Sequence, residues 1–349
     1  MRTFLLWLAC TVPLAGQAPP QGQSPEVGPA DRKIAEQPAI PLTPEADLIF
    51  ATTQQGRELL GRKDVYIESQ SELERQIRLQ TAEAVSDEAF LEHVQQQVLA
   101  WDEEERQRLT VAATSVAEKM SPYKIPLPAE VLLIRTTGQD ESGAAYTRGE
   151  GIVLPRRRSP LKPAALERLL MHELFHVISR HDPDLRKKLY AVIRFQQCNP
   201  IELPESIAKQ QITNPDAPTV DYYITIDHQG EEVAVVPILL ADRAKYDSRR
   251  KKLFDYLQFR LMVVEQENET WQAKLDAKRR PILIDGRANK SYREKIGGNT
   301  GYIIHPDEIL ADNFVHLLMQ TKNLKSPEVV EQMQEILTAP KENNCSCAP

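Results

Sequence analysis

The chain has 349 residues, with 43 Lys and Arg against 50 Asp and Glu, which gives a net charge of −7 at pH 7. A chain of this acidity, whose basic runs are short and isolated, is not typical of proteins that bind nucleic acid or anionic membranes. Neither partner is therefore expected, and no segment after residues 1–18 approaches the length of a membrane span.

Residues 1–18 have the pattern of an export signal. Arg2 precedes an apolar run, and small residues follow as far as Ala18. Such an order is typical of a cleaved leader, so we expect export to the periplasm or the medium. Lipid anchoring at Cys10 is not expected, because the segment before this cysteine is too short for a lipoprotein signal. Removal of the leader would leave an odd number of cysteines, and disulfide bonds are not the expected basis of the fold.

Composition and periodicity divide the remaining chain into four parts. Residues 19–45 are rich in Pro, Gln, Ser and Ala, which is typical of a flexible spacer. Residues 46–125 have helical apolar spacing with charged, glutamine-rich faces and are predicted to form a helical lead-in. Residues 126–338 begin with short strands and carry the motifs described below, so they are expected to form the functional domain. Residues 339–349 are interpreted as a C-terminal tail.

Three short apolar segments open the functional domain, at 131–135, 144–148 and 151–154. Each is bounded by turn-forming residues and is predicted to be a β-strand. Gly149 and Glu150 lie between the second and the third segment, where they predict a turn or a bulge. We expect these strands to form a small sheet.

A helix is predicted directly after these strands. Pro163 suits the first position of a helix, where its missing N–H costs nothing, and residues 164–180 contain neither Gly nor Pro. Apolar residues recur along one face at Leu170, Leu174 and Val177. This spacing predicts a face that packs against the core.

The most informative feature of the chain is the pentapeptide His172-Glu173-Leu174-Phe175-His176 on this predicted helix. Two histidines four residues apart lie on the same side of an α-helix, so both imidazoles can bind a single ion. His172 and His176 are therefore predicted metal ligands. Glu173 lies beside them, where its carboxylate can take a proton from a metal-bound water. Zinc is the metal for which this H-E-x-x-H pattern is typical.

After the motif, the sequence predicts a helix at 183–195 and a β hairpin formed by 222–226 and 232–240. The apolar-aromatic segment 254–265 is consistent with a further strand. Segment 213–218 is rich in turn residues and could lie near the cleft, but its chemistry does not demand a functional role.

A catalytic zinc usually takes a third protein ligand, and three residues are candidates for this role. Glu308 begins a predicted helix and shares one face of it with Asp312, four residues later. The alternative is Asp182, which would complete an H-x-x-G-x-x-D pattern in which Ser179 replaces the glycine. His181 has the wrong spacing and is interpreted as a residue at the helix end.

At these two helices the chain resembles the gluzincin metallopeptidases, the thermolysin-like branch of the zincins. Those enzymes pair an H-E-x-x-H helix with a second helix that carries E-x-x-x-D. The resemblance implies that Glu308 is the third zinc ligand and that Asp312 orients one of the liganding imidazoles. In this chain more than one hundred residues separate the two motifs, which is longer than in the compact form of the fold.

The resemblance also implies a fold and an activity. The expected fold class is α+β, a zincin-like metallopeptidase fold with a small mixed sheet, an active-site helix, a largely helical C-terminal half and a hairpin inserted near 220–240. The expected activity is zinc-dependent hydrolysis of a peptide or protein substrate, with Glu173 as the general base. In zincins the strand before the active-site helix borders the cleft, so residues 146–154 are expected to pair with an extended substrate.

Peptide hydrolysis also needs a hydrogen-bond donor to the oxyanion. In gluzincins a Tyr and a His commonly have this role, and Tyr302 and His305 are the predicted donors here, with His316 as a further candidate. Two other functions remain open at this point. One is hydrolysis of a non-protein amide of the cell envelope by the same zinc chemistry. The other is binding or assembly without turnover, against which the intact Glu173 argues.

Overall fold

The computed structural model describes residues 39–250 and 252–339. Within them the chain forms eleven α-helices, one short 3-10 helix at Leu253–Asp255 and twelve β-strands in two six-stranded sheets. The mixed α and β composition predicted from the sequence is confirmed. None of the helices among these residues has the length and apolar character needed to span a membrane. The predicted leader, most of the predicted spacer and nearly all of the predicted tail lie outside the described residues.

The first sheet is mixed and is formed by the N-terminal half of the chain. Its strands are β1 (Ala39–Thr43), β2 (Ala46–Phe50), β3 (Val98–Leu99), β4 (Glu130–Thr136), β5 (Tyr146–Arg148) and β6 (Gly151–Pro155). The strand order is β1-β2-β4-β6-β5, and β3 pairs with β4. The pairs β2–β4 and β4–β6 are parallel, whereas β1 and β5 run antiparallel to their neighbours.

Both faces of this sheet are covered. Along β4, Val131 and Leu133 pack into one hydrophobic cluster, and Leu132 and Ile134 pack into another on the opposite face. Successive side chains of a strand point to opposite faces, so a strand between two packed layers is apolar at nearly every position. This explains why these segments could be recognised as short continuous apolar runs.

The predicted boundaries near residue 45 are wrong. Ala39–Thr43 pairs antiparallel with Ala46–Phe50, so residues 39–45 form a strand and a turn rather than a spacer. The segment 46–125 likewise contains β2 and β3 in addition to its helices. The spacer prediction rested on a proline-rich composition, to which Pro41 contributes. Because β1 is an edge strand, a residue without a backbone N–H is tolerated there.

Five helices of the N-terminal region begin at conventional N-cap residues. They are α1 (Thr53–Leu60), α2 (Val65–Glu68), α3 (Glu72–Leu79), α4 (Asp87–Gln96) and α5 (Glu103–Met120). Each is preceded by a Ser, Thr or Asp whose side chain accepts a hydrogen bond from a backbone N–H of the first turn. Ser86 is the N-cap of α4. Helix α5 packs against the motif helix.

The motif helix, α6 (Pro163–His181), begins at the predicted proline. It packs against α10 (Pro306–Leu318), which carries the second motif, and the rings of Phe175 and Phe314 lie 5.7 Å apart between the two helices. Helices α7 (Pro183–Val192), α8 (Glu205–Ala208), α9 (Lys290–Lys295) and α11 (Pro327–Thr338) complete the set. The apolar contacts between α6 and α10 thus bring two distant parts of the chain together.

The second sheet is larger than the predicted hairpin. It consists of β7 (Gln196–Gln197), β8 (Tyr222–His228), β9 (Glu231–Ala241), β10 (Leu257–Glu267), β11 (Thr270–Ala273) and β12 (Leu283–Ile284). Strands β8 and β9 form the predicted hairpin, and its two turn residues, Gln229 and Gly230, have φ values of 59° and 85°. Because this sheet occupies much of residues 196–284, the prediction of a largely helical C-terminal half is wrong for that segment.

Candidate metal centre

The contact between α6 and α10 brings His172, His176 and Glu308 to one point. The Oε2 atom of Glu308 lies 3.1 Å from Nε2 of His172 and 3.5 Å from Nε2 of His176. The three ligand atoms lie within 4.8 Å of one another, so this group could hold a metal ion. Glu308 and His176 are buried, and His172 is partly exposed.

Two buried polar atoms at this point fit a bound metal and its water. Among the described residues, Oε2 of Glu173 has no hydrogen-bond partner, and Nε2 of His176 has none beyond the 3.5 Å approach of Oε2 of Glu308. Burial of a polar atom without a partner is costly. A metal ion on the imidazole nitrogen and a water beside the carboxylate would remove both costs. Two imidazoles and one carboxylate are a donor set that suits zinc and several other transition metals.

Each of the two imidazoles is held from behind by a different carboxylate of α10. Nδ1 of His172 lies 3.2 Å from Oδ1 of Asp312, whose other oxygen accepts a hydrogen bond from the hydroxyl of Thr300. Nδ1 of His176 lies 2.6 Å from Oδ2 of Asp307. Both Nδ1 atoms are thus occupied, which directs the two Nε2 atoms toward Glu308.

Asp307 was not identified from the sequence as a functional residue. Its Oδ1 atom accepts hydrogen bonds from the hydroxyl groups of Ser179 and Tyr190, so the carboxylate has three side-chain partners. Burial raises the pKa of Asp307, but the hydrogen bonds from His176, Ser179 and Tyr190 and the charge of His176 together outweigh burial and hold the pKa below its ordinary value. In the sequence, an acid in the first turn of a helix is explained by the helix dipole alone, so it gave no separate signal.

The alternative third ligand, Asp182, is not part of this centre. It is the N-cap of α7, and its Oδ1 atom accepts a hydrogen bond of 2.9 Å from the backbone N–H of Leu185. Ser179, at the position of the expected glycine, points to Asp307 instead of opening a turn. The ligand arrangement with the shorter spacing is therefore wrong, because α6 continues to His181 before the chain turns.

If the centre binds a metal, replacement of Asp307 by Asn is expected to weaken the binding of added zinc by about 10- to 100-fold, the usual effect of losing a carboxylate that orients a liganding histidine. The amide group cannot accept hydrogen bonds on both of its sides, so His176 loses its fixed orientation. Zinc affinity is measured by competition with a chromogenic chelator. Asp184→Asn, at an exposed carboxylate of the first turn of α7, is the matched control. An unchanged zinc affinity of Asp307→Asn would contradict the assigned role.

Glu173 faces the same point from α6 and is almost completely buried. Burial, and secondly the charge of Asp216, raise the pKa of this carboxyl group to about 8. A ligand atom of Asp216 lies within 4.8 Å of those of Glu173 and His176. The site therefore contains a carboxyl group that lies outside the group of His172, His176 and Glu308 and that binds a proton more readily than an ordinary glutamate.

A loop at 213–218, which the sequence did not mark as functional, reaches the centre with two side chains. Nδ2 of Asn214 donates a hydrogen bond of 2.7 Å to Oε1 of Glu308. Oδ1 of Asp216 accepts hydrogen bonds from the backbone N–H and the hydroxyl of Thr147, at 2.6 and 2.8 Å. Arg180 donates to the backbone carbonyl of Asp216 at 2.9 Å. The loop thus connects the third potential ligand to strand β5.

The start of the same loop is held by a buried ionic cluster. Glu74 accepts hydrogen bonds from the backbone N–H and the hydroxyl of Thr213, at 2.8 and 3.1 Å. Arg78 pairs with Glu74, and its Nε and Nη2 atoms both bind Glu141 at 2.8 Å. The side chains of Arg78 and Glu74 are fully buried. Helix α3 therefore determines where the loop, and with it Asn214, is placed.

The expectation that residues 146–154 offer a free strand edge to a substrate is wrong in two respects. Strand β6 lies between β4 and β5, so only β5 is at the edge of the sheet. The outward N–H of Thr147 on β5 is already bound by Asp216, and all three residues of β5 are buried. The 213–218 loop covers this edge, which a local sequence pattern cannot indicate.

An open cleft of about 540 Å³ leads to the centre. Tyr302 lines it, is 41% exposed, and has its ring stacked on that of His172 with 6.2 Å between centroids. The negative charge of Glu308, and secondly burial, raise the pKa of Tyr302 above its ordinary value, so its hydroxyl remains a hydrogen-bond donor. Of the three predicted oxyanion donors, Tyr302 alone lines this cleft.

The other two predicted donors have structural partners. His305 is the N-cap of α10, and its Nδ1 atom accepts a hydrogen bond of 3.1 Å from the backbone N–H of Asp307. His316 lies 3.2 Å from the hydroxyl of Thr321 and 3.3 Å from the carbonyl of Asn299. Their predicted role as oxyanion donors is therefore not supported, because neither histidine lines the cleft.

Comparison with known proteins finds no relative. No family model matches this chain, and no curated protein or solved structure matches it either. Its function therefore has to be inferred from the residues of the site.

Proposed function

We propose that this protein is an exported zinc-dependent metallopeptidase of the gluzincin type, with a zincin-like catalytic domain. The observation that carries the proposal is the convergence of His172, His176 and Glu308 beside the unpartnered carboxylate oxygen of Glu173. Two histidines and one glutamate are a known ligand set of catalytic zinc, which leaves the next position to water. The predicted leader supports a location outside the cytoplasm.

When bound, zinc would supply a Lewis acid that polarises the scissile carbonyl and lowers the pKa of a water molecule. Glu173 takes a proton from the attacking water and transfers it to the nitrogen of the leaving amine. Tyr302, whose ring stacks on that of His172, donates a hydrogen bond from its hydroxyl to the oxygen of the carbonyl under attack. Asp307 and Asp312 keep the imidazoles in place during these steps.

An intact general base distinguishes this proposal from a binding protein. A protein that only binds or assembles has no need of a buried carboxyl group at this position, since its desolvation is costly. Glu173 is buried in spite of this desolvation cost. Its unpartnered carboxylate oxygen would accept the proton of the attacking water in the proposed reaction. Turnover therefore explains an arrangement that binding alone does not.

The purified protein is expected to contain about one equivalent of zinc and to hydrolyse a mixed peptide library. Treatment with 1,10-phenanthroline should remove the metal and the activity, and one equivalent of zinc should restore both, because the donor set is complete without other residues. The isomer 1,7-phenanthroline, which does not chelate, is the control. Full hydrolysis by metal-free protein, or stoichiometric zinc in a His172→Ala/His176→Ala variant, would contradict the proposal.

A further inference from the structure

The cleft continues from the metal centre along the N-terminal part of α6. Ala165, Arg168 and Leu169 line it together with His172 and Glu173. These five positions follow the spacing i, i+3, i+4, i+7, i+8, so they form one stripe on the helix. The helix face that carries the metal-binding residues therefore also presents an arginine, one turn before His172.

A second arginine lines the cleft just before the helix. Arg158 lies in the connection between β6 and α6, is half-buried, and has a buried Nε atom without a hydrogen-bond partner among the described residues. Neither Arg158 nor Arg168 has an ion pair or a side-chain hydrogen bond within the described part of the chain. The neighbouring Arg157, in contrast, donates hydrogen bonds to the carbonyl of Gly143.

Unpaired guanidinium groups in a cleft favour a ligand of opposite charge. Arg158 is half-buried and Arg168 is exposed. Leu161, Ala165 and Leu169 also line this cleft, and apolar walls strengthen an ionic contact with a bound molecule. The acidic residues of the cleft lie at its other end, around the metal-binding histidines. The cleft is thus divided into an acidic, metal-binding end and a basic end.

We infer that this basic end binds a carboxylate of the substrate, so that peptides with an acidic group close to the cleaved bond are preferred. Arg168 lies about 6 Å along the helix axis from His172, at 1.5 Å per residue. An extended peptide advances about 3.3–3.6 Å per residue, which places the carboxylate within about two residues of the scissile bond. The guanidinium group of an arginine suits this carboxylate, since it can bind both carboxylate oxygens with two parallel hydrogen bonds.

This inference rests on the proposed peptidase function and specifies its substrates. The carboxylate has two sources, the side chain of Asp or Glu and the free C-terminus of a peptide. Both present the same two oxygen atoms to Arg158 and Arg168. A substrate set that varies the two sources independently therefore separates an acid-selective endopeptidase from a carboxypeptidase.

The test uses four fluorogenic peptides of otherwise identical sequence. Each carries either Glu or Gln two residues from the scissile bond, and its C-terminus is either free or amidated. For the wild-type protein, kcat/KM is expected to be about tenfold or more higher with a carboxylate than with its neutral partner, the usual effect of a charge-assisted pair. In Arg158→Gln/Arg168→Gln this ratio should fall to about one, because neither guanidinium group is left to bind the carboxylate. Arg156→Gln, at an exposed arginine of the same connection that does not line the cleft, is the matched control.

Binding of the same peptides, measured by fluorescence anisotropy, separates this inference from the proposed function. Equal affinity and equal kcat/KM for acidic and neutral peptides would overturn the carboxylate site, and so would a preference that survives in the double variant. A preference in binding that depends on both arginines, without any hydrolysis, would support the site and contradict the peptidase.

Discussion

Replacement of Glu173 by Gln is expected to lower kcat for peptide hydrolysis by about 10²–10⁴-fold, the contribution of a positioned general acid–base group. The variant should bind zinc like the wild type, because His172, His176 and Glu308 are unchanged. Glutamine has the same size as glutamate, and the Oε2 atom of Glu173 has no partner among the described residues that the substitution would remove. Burial already raises the pKa of this carboxyl group to about 8, so the site accepts an uncharged group.

Zinc content by mass spectrometry and kcat on one peptide are measured on the same preparation. Glu167→Gln is the matched control, since it lies on the same helix and pairs with Lys119 away from the cleft lining. Wild-type kcat in Glu173→Gln would refute the mechanism. Loss of zinc would instead make Glu173 a ligand, as in the alternative group that it forms with His176 and Asp216.

Replacement of Arg78 by Ala is expected to reduce the free energy of unfolding by about 3–5 kcal/mol, the usual effect of removing one partner of a buried ion pair. Arg78 contacts Glu74 and Glu141, and without it both carboxyl groups are buried without their cation. Hydroxyl and backbone donors remain, at Tyr66 and Thr213, but they carry no charge. The midpoint and slope of urea denaturation measure the change.

The same substitution should also weaken zinc binding. Glu74 holds Thr213, and the next residue, Asn214, donates its hydrogen bond to Glu308. A displaced loop therefore removes one support of the third ligand. Lys209→Ala, which breaks an exposed i,i+4 pair with Glu205, is the control and should change neither property. Arg78→Ala with wild-type stability and zinc affinity would show that the buried cluster does not support the site.

The parts of the site that could be predicted are those in which a short segment contains the whole signal. His172, Glu173 and His176 lie within one turn of α6, and Glu308 and Asp312 lie within one turn of α10. Helical periodicity places each set on one face, whatever the rest of the chain does. Which of Glu308 and Asp182 lies beside the histidines depended on how α6 and α10 pack.

The residues that were missed have partners far away in the chain. Asp307 contacts His176 across 131 residues, Asn214 contacts Glu308 across 94, and Asp216 contacts Thr147 across 69. Their local patterns, an acidic helix start and a turn-rich loop, are fully explained by local structure. A single sequence therefore contains no signal for their role.

The second sheet and the covered strand edge show the same limit. The local pattern of β8 and β9 was sufficient to predict a hairpin, since a turn with a glycine between two apolar runs is a short-range signal. Strands β10, β11 and β12 extend this hairpin into a larger sheet. That extension depends on pairing between separate segments, and no local sequence pattern marks those segments as partners. Likewise, β5 could be recognised as a strand, but not as one whose edge is bound by Asp216.

The sequence by itself determined the two motif helices and the short strands before them, because each depends on residues at most four positions apart or on an uninterrupted apolar run. The tertiary structure alone decided which carboxylate joins the histidines, which residues orient them and which predicted donor lines the cleft. Those outcomes depend on the packing of α6 against α10 and on the anchoring of the 213–218 loop by Glu74 and Arg78. Packing between distant segments is a property of the whole fold, and no local pattern encodes it.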